Sequence, residues 1–275
     1  MRLVQLSDLH VKSKRAYAFN AADSSSILEN VVEHLAGMNP APDSIVITGD
    51  LAEHGEQDAY NFVHSLLASL DTPVYAVPGN HDNRERMRET LRGYCPADPV
   101  VAPYICYTVE DFPLRLVMMD STHPGSHSGH FHGAVKMWLE KTLAEKPDVP
   151  TLLFMHHPPF LSAMGVMDEL FQGGDELAAI LRENPQVHLC CGHLHRGITS
   201  LWKGGLGIVC PPVVLSIDLD LSPDGGDLFT LGAPAYLLHH FFDGQVNSHF
   251  CQLPGTWPYE GPYSFSNPPA PQRKG

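Results

Sequence analysis

The sequence has few charged residues, and basic residues are especially scarce. Charged side chains make up 17% of the 275 residues, against roughly a quarter in an average domain. Lysine and arginine number 17 against 31 acidic residues, so the formal net charge is −14. A protein that tracks along a nucleic-acid backbone needs a basic stripe, so we expect no nucleic-acid polymer as a partner. A small phosphate substrate is still allowed, because bound divalent cations would dominate the local field.

Long apolar runs and paired cysteine motifs are missing as well. No run of about 18 apolar residues is present, so no membrane span is expected. The start of the chain is too short in apolar length for a signal peptide. The six cysteines form no CxxC pair, and Cys190 and Cys191 lie in an apolar run that suggests buried thiols. These features predict a reduced, cytoplasmic protein.

Histidine, in contrast, is abundant. Seventeen histidines in 275 residues make metal chemistry worth looking for. The hydrophobic fraction of 43% is enough for a core. The length suits one large α/β domain, or one domain with a modest appendage.

Strand-like and helix-like segments alternate through the first third of the chain. This β-α-β-α-β order predicts crossover units in a layered α/β fold. Further along, a hairpin indicates antiparallel pairs. The predicted strands cover residues 3–6, 44–48, 73–77, 104–109, 114–119, 151–155 and 187–191, and the predicted helices 26–38, 56–70, 83–91, 134–145 and 175–182.

The periodicity is lost after Pro211. We interpret the next segment as an excursion from the core that forms a cap or an interface arm. A hairpin around Asp243-Gly244 then returns to the core, and the Pro- and Gly-rich end predicts a loose tail. The predicted organisation is therefore a catalytic domain over residues 1–211 and 236–253, the excursion over 212–235 and the tail over 254–275.

A polar tetrapeptide, Gly79-Asn80-His81-Asp82, follows a strand-like apolar run that Pro78 breaks. It therefore lies at the carboxyl end of a strand, where open α/β sheets bind their ligands. An Asn amide oxygen can bind a metal ion, and the adjacent His can face a phosphate. Four other polar stretches follow strand-like runs in the same way: Asp8-Leu9-His10, Gly49-Asp50, His156-His157-Pro158-Pro159 and Gly192-His193-Leu194-His195.

Together these stretches contain enough ligands for two divalent metal ions. Asp50 is the natural bridge, because a carboxylate can span ions roughly 3.5–4 Å apart. The mixture of carboxylate, imidazole and amide ligands suits Mn, Fe, Zn or Co. It contains no thiolate, which argues against a closed structural zinc site. The candidate metal ligands are Asp8, His10, Asp50, Asn80, His156, His193 and His195.

In order and spacing, these stretches resemble the five motifs of the calcineurin-like metallophosphoesterase superfamily. The length and the His-His-Pro-Pro form resemble its bacterial class III cyclic-nucleotide phosphodiesterase and glycerophosphodiesterase branch. The resemblance implies an α/β fold, a four-layer α/β/β/α sandwich with two facing mixed sheets and a small C-terminal cap. It also implies a homo-oligomer, a dimer or a hexamer, built by the C-terminal excursion.

The same resemblance implies roles for single residues. In the family a metal-bound hydroxide attacks phosphorus in line, so Asp50 and His81 are the implied catalytic residues. His81 would bind the phosphoryl oxygens and is the candidate general acid. The first metal would be held by Asp8, His10, Asp50 and His195. The second metal would be held by Asp50, Asn80, His156 and His193. The substrate would be bound by Asn80, His81 and His195.

The implied activity is hydrolysis of small phosphodiesters, either 3′,5′-cyclic nucleotides or glycerophosphodiesters. The alternatives are a phosphomonoesterase or phosphonate ester hydrolase of the same fold, a nuclease or phosphoprotein phosphatase, and a non-catalytic metal-binding scaffold. Every ligand position is filled and His81 is present, which favours the enzyme. We also expect the second metal site, with its Asn ligand, to hold its ion more loosely.

Some residues near the motifs allow two interpretations. Glu53 and Asp82 either orient His81 or a metal-binding imidazole, or are solvated charges. His157 is interpreted as a packing or supporting residue rather than a ligand. The aromatic residues Tyr17 and Phe19 either line the substrate rim or pack their own loop. A histidine-rich segment is interpreted as a rim loop. Either one of its histidines touches the substrate or none does, and the histidines are His123, His127, His130 and His132.

Overall fold

The computed structural model of the chain describes residues 1–131, 133–222 and 225–270. His132 belongs to the predicted rim loop, Pro223 and Asp224 to the excursion, and residues 271–275 to the tail. What the sequence predicts for these positions lies outside the described residues.

The first half of the chain alternates strands and helices, as the sequence predicts, with ends that differ by a few residues. Helix α1 begins where the Asp23 carboxylate accepts a hydrogen bond from the Ser26 backbone N–H, and α3 begins in the same way at Asn83. The elements are β1 (Arg2–Leu6), α1 (Ser24–Ala36), β2 (Ser44–Thr48), α2 (Gln57–Leu67), β3 (Val74–Val77) and α3 (Arg84–Thr90).

The second half contains every strand and helix predicted up to residue 191, and an unpredicted hairpin follows them directly. The unpredicted pair is β8 (Ile198–Trp202) and β9 (Gly205–Val209), a hairpin at one edge of a sheet. Two glycines in β9 lower its β-propensity, which hides the strand in the sequence. The predicted elements are β4 (Tyr107–Val109), β5 (Arg115–Met118), α4 (Gly133–Glu145), β6 (Thr151–Phe154), α5 (Gly174–Glu183) and β7 (Val187–Cys191).

The C-terminal part is more regular than the sequence predicts. The predicted hairpin is present as β12 (Ala235–Phe242) and β13 (Gln245–Gln252). The excursion contains β10 (Leu215–Ile217) and β11 (Leu228–Leu231). The prediction of a loose tail is wrong for β14 (Glu260–Ser264), because β11 offers this segment an edge on which to pair its backbone.

The described strands form three sheets. The first sheet has the order β13-β12-β1-β2-β3, with β1, β2 and β3 parallel and β12 antiparallel to β1. The second sheet has the order β4-β5-β6-β7-β9-β8 and is also mixed. The third is a small antiparallel sheet, β10-β11-β14.

Alternate side chains of the second sheet enter two different apolar cores. In β5, Leu116 and Met118 join the core shared with the first sheet. Val117 and Met119 join the core formed with α4 and α5. This alternation is the period-two pattern of a strand covered on both faces. The predicted α/β/β/α sandwich of two mixed sheets is therefore confirmed.

Within the described ranges, no helix has both the length and the apolar character that a membrane crossing requires. All six cysteines lie in these ranges and are free thiols. Five are buried, and Cys251 is half-buried. The buried thiols predicted at Cys190 and Cys191 are thus present.

Candidate metal centre

The five polar motifs meet at the carboxyl edges of the two large sheets. Asp8 lies two residues beyond β1, Asp50 two beyond β2, and Asn80 three beyond β3. His156 and His193 each lie two residues beyond β6 and β7. Because the carboxyl ends of parallel strands share one edge of a sheet, short extensions are enough to bring these side chains together.

Four of the predicted ligands form a compact buried cluster. The side chains of Asp8, His10, Asp50 and His195 place one ligand atom each within 4.8 Å of the others. His10 Nε2 lies 3.0 Å from His195 Nε2 and 3.7 Å from Asp50 Oδ2. His195 Nε2 lies 3.6 Å from Asp8 Oδ1. This is the set that the resemblance implies for the first metal.

A second cluster lies beside the first and contains Asn80, His156 and His193. His156 Nε2 is 3.1 Å from Asn80 Oδ1, and the rings of His156 and His193 are 5.1 Å apart. His157 joins them, since its Nε2 is 3.2 Å from Asn80 Oδ1 and its Nδ1 is 2.9 Å from Ser121 Oγ. His157 therefore contacts a candidate ligand directly. This contact fits a residue that supports the ligands, rather than one that only fills the core.

The Asp50 carboxylate lies between the two clusters. Its Oδ2 is 3.7 Å from His10 Nε2 on one side and 3.3 Å from His156 Nε2 on the other. Its Oδ1 accepts a hydrogen bond of 2.9 Å from the His81 backbone N–H. Asp50 thus occupies the position that a bridging carboxylate requires.

Three histidines are oriented through their Nδ1 atoms. His156 Nδ1 donates to the Thr48 carbonyl at 2.6 Å, and His195 Nδ1 donates to the Leu215 carbonyl at 2.9 Å. His10 Nδ1 donates to the Glu53 carboxylate at 2.7 Å. A carbonyl can only accept, so a proton must be on Nδ1, and Nε2 is the ring atom that faces the site.

The backbone of the motifs is strained. Five of the seven candidate ligands have positive φ: Asp8 (+59°), His10 (+42°), Asp50 (+52°), His193 (+71°) and His195 (+48°). The sequence pattern predicts that Asp8 and His10 face the same way by alternation along an extended chain. That explanation is wrong, because left-handed turns bring them together. Such conformations cost of order 1–3 kcal/mol each and cluster at functional sites.

At two positions in the motifs, neighbouring atoms lie so close to the backbone that only glycine fits. A Cβ on Gly79 would overlap the Asp50 side chain and backbone, and one on Gly192 would overlap Ser7 Oγ. Glycine at these positions allows the loop after β3 to pack against Asp50 after β2, and the loop after β7 to pack against Ser7 after β1. The packing of the loops therefore requires glycine in both motifs.

The charges of Asp50 and His156 depend on one another. Burial alone would raise the pKa of the Asp50 carboxyl, but the His156 and His81 imidazoles lower it well below its ordinary value. Burial alone would lower the pKa of His156, but the Asp50 carboxylate raises it to about 9. Burial lowers the pKa of His10 to about 4. The centre therefore favours positive charge beside Asp50.

The chemistry of these residues fits a bound cation. Asp8 Oδ2 is buried and has no hydrogen-bond partner in the described part of the chain, so one carboxylate oxygen remains unpaired. His10 Nε2 and His195 Nε2 face one another at 3.0 Å although both carry lone pairs. A divalent cation would accept both lone pairs and the free oxygen, and mixed N and O ligands suit borderline transition metals.

The ambiguous residues near His81 have different roles. His81 Nδ1 donates to the Glu53 carbonyl at 2.8 Å, while the Glu53 carboxylate holds His10, so Glu53 orients both rings. Asp82 does not orient His81. Its carboxylate accepts hydrogen bonds from the backbone N–H groups of Leu51, Ala52 and Gly79 and from the Tyr60 hydroxyl, which joins the loops after β2 and β3.

Two residues of the predicted substrate rim, His127 and Phe19, lie beside candidate metal ligands, and His127 also contacts Glu169, which the sequence does not single out. His127 belongs to the predicted rim loop, and its ring is 4.9 Å from that of His193. Its Nδ1 lies 3.3 Å from a carboxylate oxygen of Glu169, which comes from a different loop. No spacing in the sequence links the two, because the contact is formed only by the fold. The Phe19 ring lies 5.2 Å from the His10 ring.

Comparison with known proteins defines the class. The family model for calcineurin-like phosphoesterases matches residues 1–197, which include every candidate metal ligand. The chain belongs to the calcineurin-like phosphoesterase family. The protein is a metal-dependent phosphoester hydrolase. Its cluster of histidine and aspartate side chains binds divalent metal ions.

Similar curated proteins place the chain in the bacterial branch that the motifs predict. A probable glycerophosphodiester phosphodiesterase GpdQ from Arcobacter nitrofigilis is 34% identical over 97% of both chains. A probable cyclic nucleotide phosphodiesterase from Rhodopseudomonas palustris is 34% identical over 74% of this chain and 75% of that protein. The 3′,5′-cyclic adenosine monophosphate phosphodiesterase CpdA of Escherichia coli K12 is 29% identical over 93% and 91%.

A solved structure supports the fold. Purple acid phosphatase PPD1 from yellow lupin seeds aligns with a TM-score of 0.55 at 16% identity. The alignment covers 91% of this chain and 53% of that protein. At this identity the similarity shows the shared sandwich alone.

Proposed function

We propose that the chain is a binuclear-metal phosphodiesterase that hydrolyses small phosphodiesters, either 3′,5′-cyclic nucleotides or glycerophosphodiesters. The observation that carries the proposal is the position of Asp50 Oδ2, 3.7 Å from His10 Nε2 and 3.3 Å from His156 Nε2. One carboxylate is thus shared between two ligand clusters. Relatives named for both kinds of diester match along most of the chain.

Two metal sites follow from the two clusters. Asp8, His10, Asp50 and His195 would hold one ion, and Asp50, Asn80, His156 and His193 the other. When bound, the ions, Mn, Fe, Zn or Co, would polarise phosphoryl oxygens and lower the pKa of a water towards neutrality. The second site has an amide in place of a carboxylate of its own. We therefore expect calorimetry of the metal-free protein to resolve a tight site and a looser one, whereas two equal affinities would contradict this ligand assignment.

The chain's own residues would bind and orient the diester. His81 is fixed through its Nδ1 and its backbone N–H, so its Nε2 is the ring atom that meets a phosphoryl or leaving oxygen. The Asn80 amide can offer its oxygen to a metal and its NH₂ group to a phosphoryl oxygen. His195 Nε2 lies 3.0 Å from His10 Nε2, from where it can contact the same substrate. General acid catalysis by His81 would suit an alkoxide leaving group.

The test is hydrolysis of bis(p-nitrophenyl) phosphate by metal-stripped protein with Mn²⁺, Zn²⁺, Co²⁺ or Fe²⁺ added back. An Asn80→Ala variant should lose at least about 10–100-fold in metal-supported rate, as ligand-shell changes do. Asn30→Ala is the matched control, because Asn30 is exposed on α1 and its side-chain amide donates to the Ser26 carbonyl of the same helix. A panel of cyclic nucleotides and glycerophosphodiesters would then identify the substrate. A folded protein that binds metal but turns over no substrate would favour the scaffold function.

The wider organisation is part of the same proposal. The excursion over residues 212–235 would act as a cap or interface arm, and the enzyme would form a dimer or a hexamer. Light scattering of the full-length protein tests this directly. The cytoplasmic location is an expectation that rests on the six free thiols, which a reducing compartment preserves.

A further inference from the structure

Aromatic residues from both ends of the chain meet at the edge of the metal centre. The Phe19 ring lies 5.2 Å from the His10 ring and 6.4 Å from the His81 ring, edge-on in both cases. The same ring lies 5.9 Å from the Phe229 ring and 5.3 Å from the Phe265 ring. Phe229 is fully buried, whereas Phe19 and Phe265 are partly exposed. Phe19 therefore presents a partly exposed aromatic surface next to His81, with Phe265 packed against it.

The direction of Phe19 is imposed by a tight turn. Ala18 and Ala22 exchange backbone hydrogen bonds of 2.8 and 2.9 Å, and the turn between them contains Phe19 at φ +49° and Asn20 at φ +59°. Positive φ is rare for a bulky side chain and persists only where the surroundings over-determine it. The ring contacts of Phe19 supply that support, so its place beside the catalytic histidine is a built feature of the fold.

The support comes from the segment that we call the C-terminal strap, residues 260–267. Its strand β14 pairs with β11, and the Asp227 carboxylate accepts hydrogen bonds from Ser264 Oγ at 3.0 Å and from the Ser266 N–H at 2.7 Å. Phe265 donates its backbone N–H to the Asp227 carbonyl at 2.9 Å. Its side chain packs against both large apolar cores. The strap is therefore anchored to β11, to Asp227 and, through Phe265, to both apolar cores.

We propose that Phe19, positioned by Phe265 of the C-terminal strap, determines specificity by receiving a flat apolar substituent of the phosphodiester, an aryl or nucleobase group. The inference rests on the proposed phosphodiesterase function and narrows its substrate class. Aromatic rings gain from edge-to-face or offset contact with another ring, a contact that a glycerol group cannot make. Phe19 would touch the substrate, whereas Phe265 acts through Phe19 as a positioning residue.

The test compares two non-hydrolysable ligands, phenylphosphonate and methylphosphonate, as competitive inhibitors of the metal-loaded, full-length enzyme. Both carry the same phosphonate group, so the ratio of their inhibition constants reports only on the organic substituent. We expect phenylphosphonate to bind about tenfold more tightly, the upper range for one aromatic pair. The ratio should fall towards one in Phe19→Ala and Phe265→Ala. Tyr259→Ala is the control, because Tyr259 is 73% exposed in the same C-terminal region.

The outcomes separate the two proposals. A ratio near one in the unmodified enzyme, an unchanged ratio in Phe19→Ala, or an equal loss in Tyr259→Ala would overturn the inference while metal-dependent turnover continued. Absence of turnover with bis(p-nitrophenyl) phosphate would overturn the proposed function and the inference with it. If Phe265→Ala does not fold, Phe265→Leu takes its place, because leucine keeps most of the apolar volume. Phe265→Leu should still reduce the ratio of inhibition constants, because the ring contact with Phe19 is lost.

Discussion

At the residue scale, single hydrogen bonds determine which ring nitrogen each histidine offers to the metal centre. The carbonyls of Thr48 and Leu215 fix the Nδ1 protons of His156 and His195, and Glu53 does the same for His10. The rings are thus oriented before any ion binds. Pre-orientation of this kind raises metal affinity, because less side-chain freedom is lost on binding.

Glu53→Gln tests this orientation for the buried pair of Glu53 and His10. The amide has the same size but no negative charge, and it can present its NH₂ group to His10 Nδ1. We expect metal affinity to fall by about 10–100-fold, measured by calorimetry. Glu85→Gln makes the same chemical change on the exposed face of α3 and is the control. Equal affinities for Glu53→Gln and Glu85→Gln would show that the contact is not needed.

His81→Ala tests the proposed general acid. A p-nitrophenolate leaves without much help, whereas an alkoxide needs a proton, so the loss of rate should depend on the leaving group. We expect a loss of about 10²–10⁴-fold for an alkyl diester and a clearly smaller loss for bis(p-nitrophenyl) phosphate. His54→Ala, an exposed histidine of a neighbouring loop, is the control. The same loss for both substrates would assign His81 to phosphoryl binding alone.

At the element scale, the first sheet contains a buried polar network behind the metal centre. His239 of β12 donates its Nε2 proton to Gln5 Oε1 of β1 at 3.0 Å, and its Nδ1 lies 2.7 Å from Ser248 Oγ of β13. The Gln5 amide in turn donates to Thr48 Oγ1 and to the Cys191 carbonyl of the second sheet. One histidine thus links three strands of its own sheet to the facing sheet.

This network predicts an acid-sensitive step in stability. Burial lowers the pKa of His239 to about 3, against an ordinary value near 6.5. Between these values the unfolded chain binds a proton that the folded protein excludes, so the free energy of unfolding falls as the pH drops through this window. The slope for one proton is about 1.4 kcal/mol per pH unit. Above about pH 6.5 both states are neutral at this site and the term vanishes.

Urea unfolding of His239→Gln between pH 6.5 and 4 measures the effect. The variant cannot take up a proton there, so its unfolding free energy should depend less steeply on pH than that of the unmodified protein, whatever its absolute stability. His249→Gln on the exposed side of β13 is the control. Parallel pH profiles for His239→Gln and the unmodified protein would show that His239 does not cause the loss of stability in acid.

At the scale of the whole molecule, the two large sheets contribute different candidate ligands to one centre. Asp8, Asp50 and Asn80 follow strands of the first sheet, and His156 and His193 follow strands of the second. An ion held by both groups therefore connects the two halves of the sandwich. Metal binding should then stabilise the complete fold rather than a single loop.

The prediction is a metal-dependent unfolding temperature. An ion present at 100 times its dissociation constant adds about 2.7 kcal/mol to the free energy of unfolding, so a chelator should lower the thermal midpoint by several degrees. Asp50→Asn, which removes the shared negative charge, should lose most of this increment. If the chelator left the midpoint unchanged in calorimetric scans, the centre would not be coupled to the global fold.

The sequence predicts the fold where the hydrophobic period is strong and local. Strand Ser44–Thr48 has the apolar run Ile45-Val46-Ile47 at its centre, and α1 has a capping Asp23 and a buried apolar face. The hairpin of β8 and β9 and the strand β14 escape prediction because they are glycine-rich or lie at an edge, where pairing depends on a neighbour distant in the chain. Regular structure at a sheet edge is decided by the partner strand.

The sequence by itself determined which residues can form the metal centre, because ligand chemistry and spacing after a strand are local properties. Only the tertiary structure decided how these residues are used. Left-handed turns, and no extended strand, bring Asp8 and His10 together. The carbonyls that orient the histidines and the contact of Phe19 with Phe265 join segments that are far apart in the chain. The physical reason is that backbone carbonyls and apolar contacts carry no sequence signature until packing brings them together.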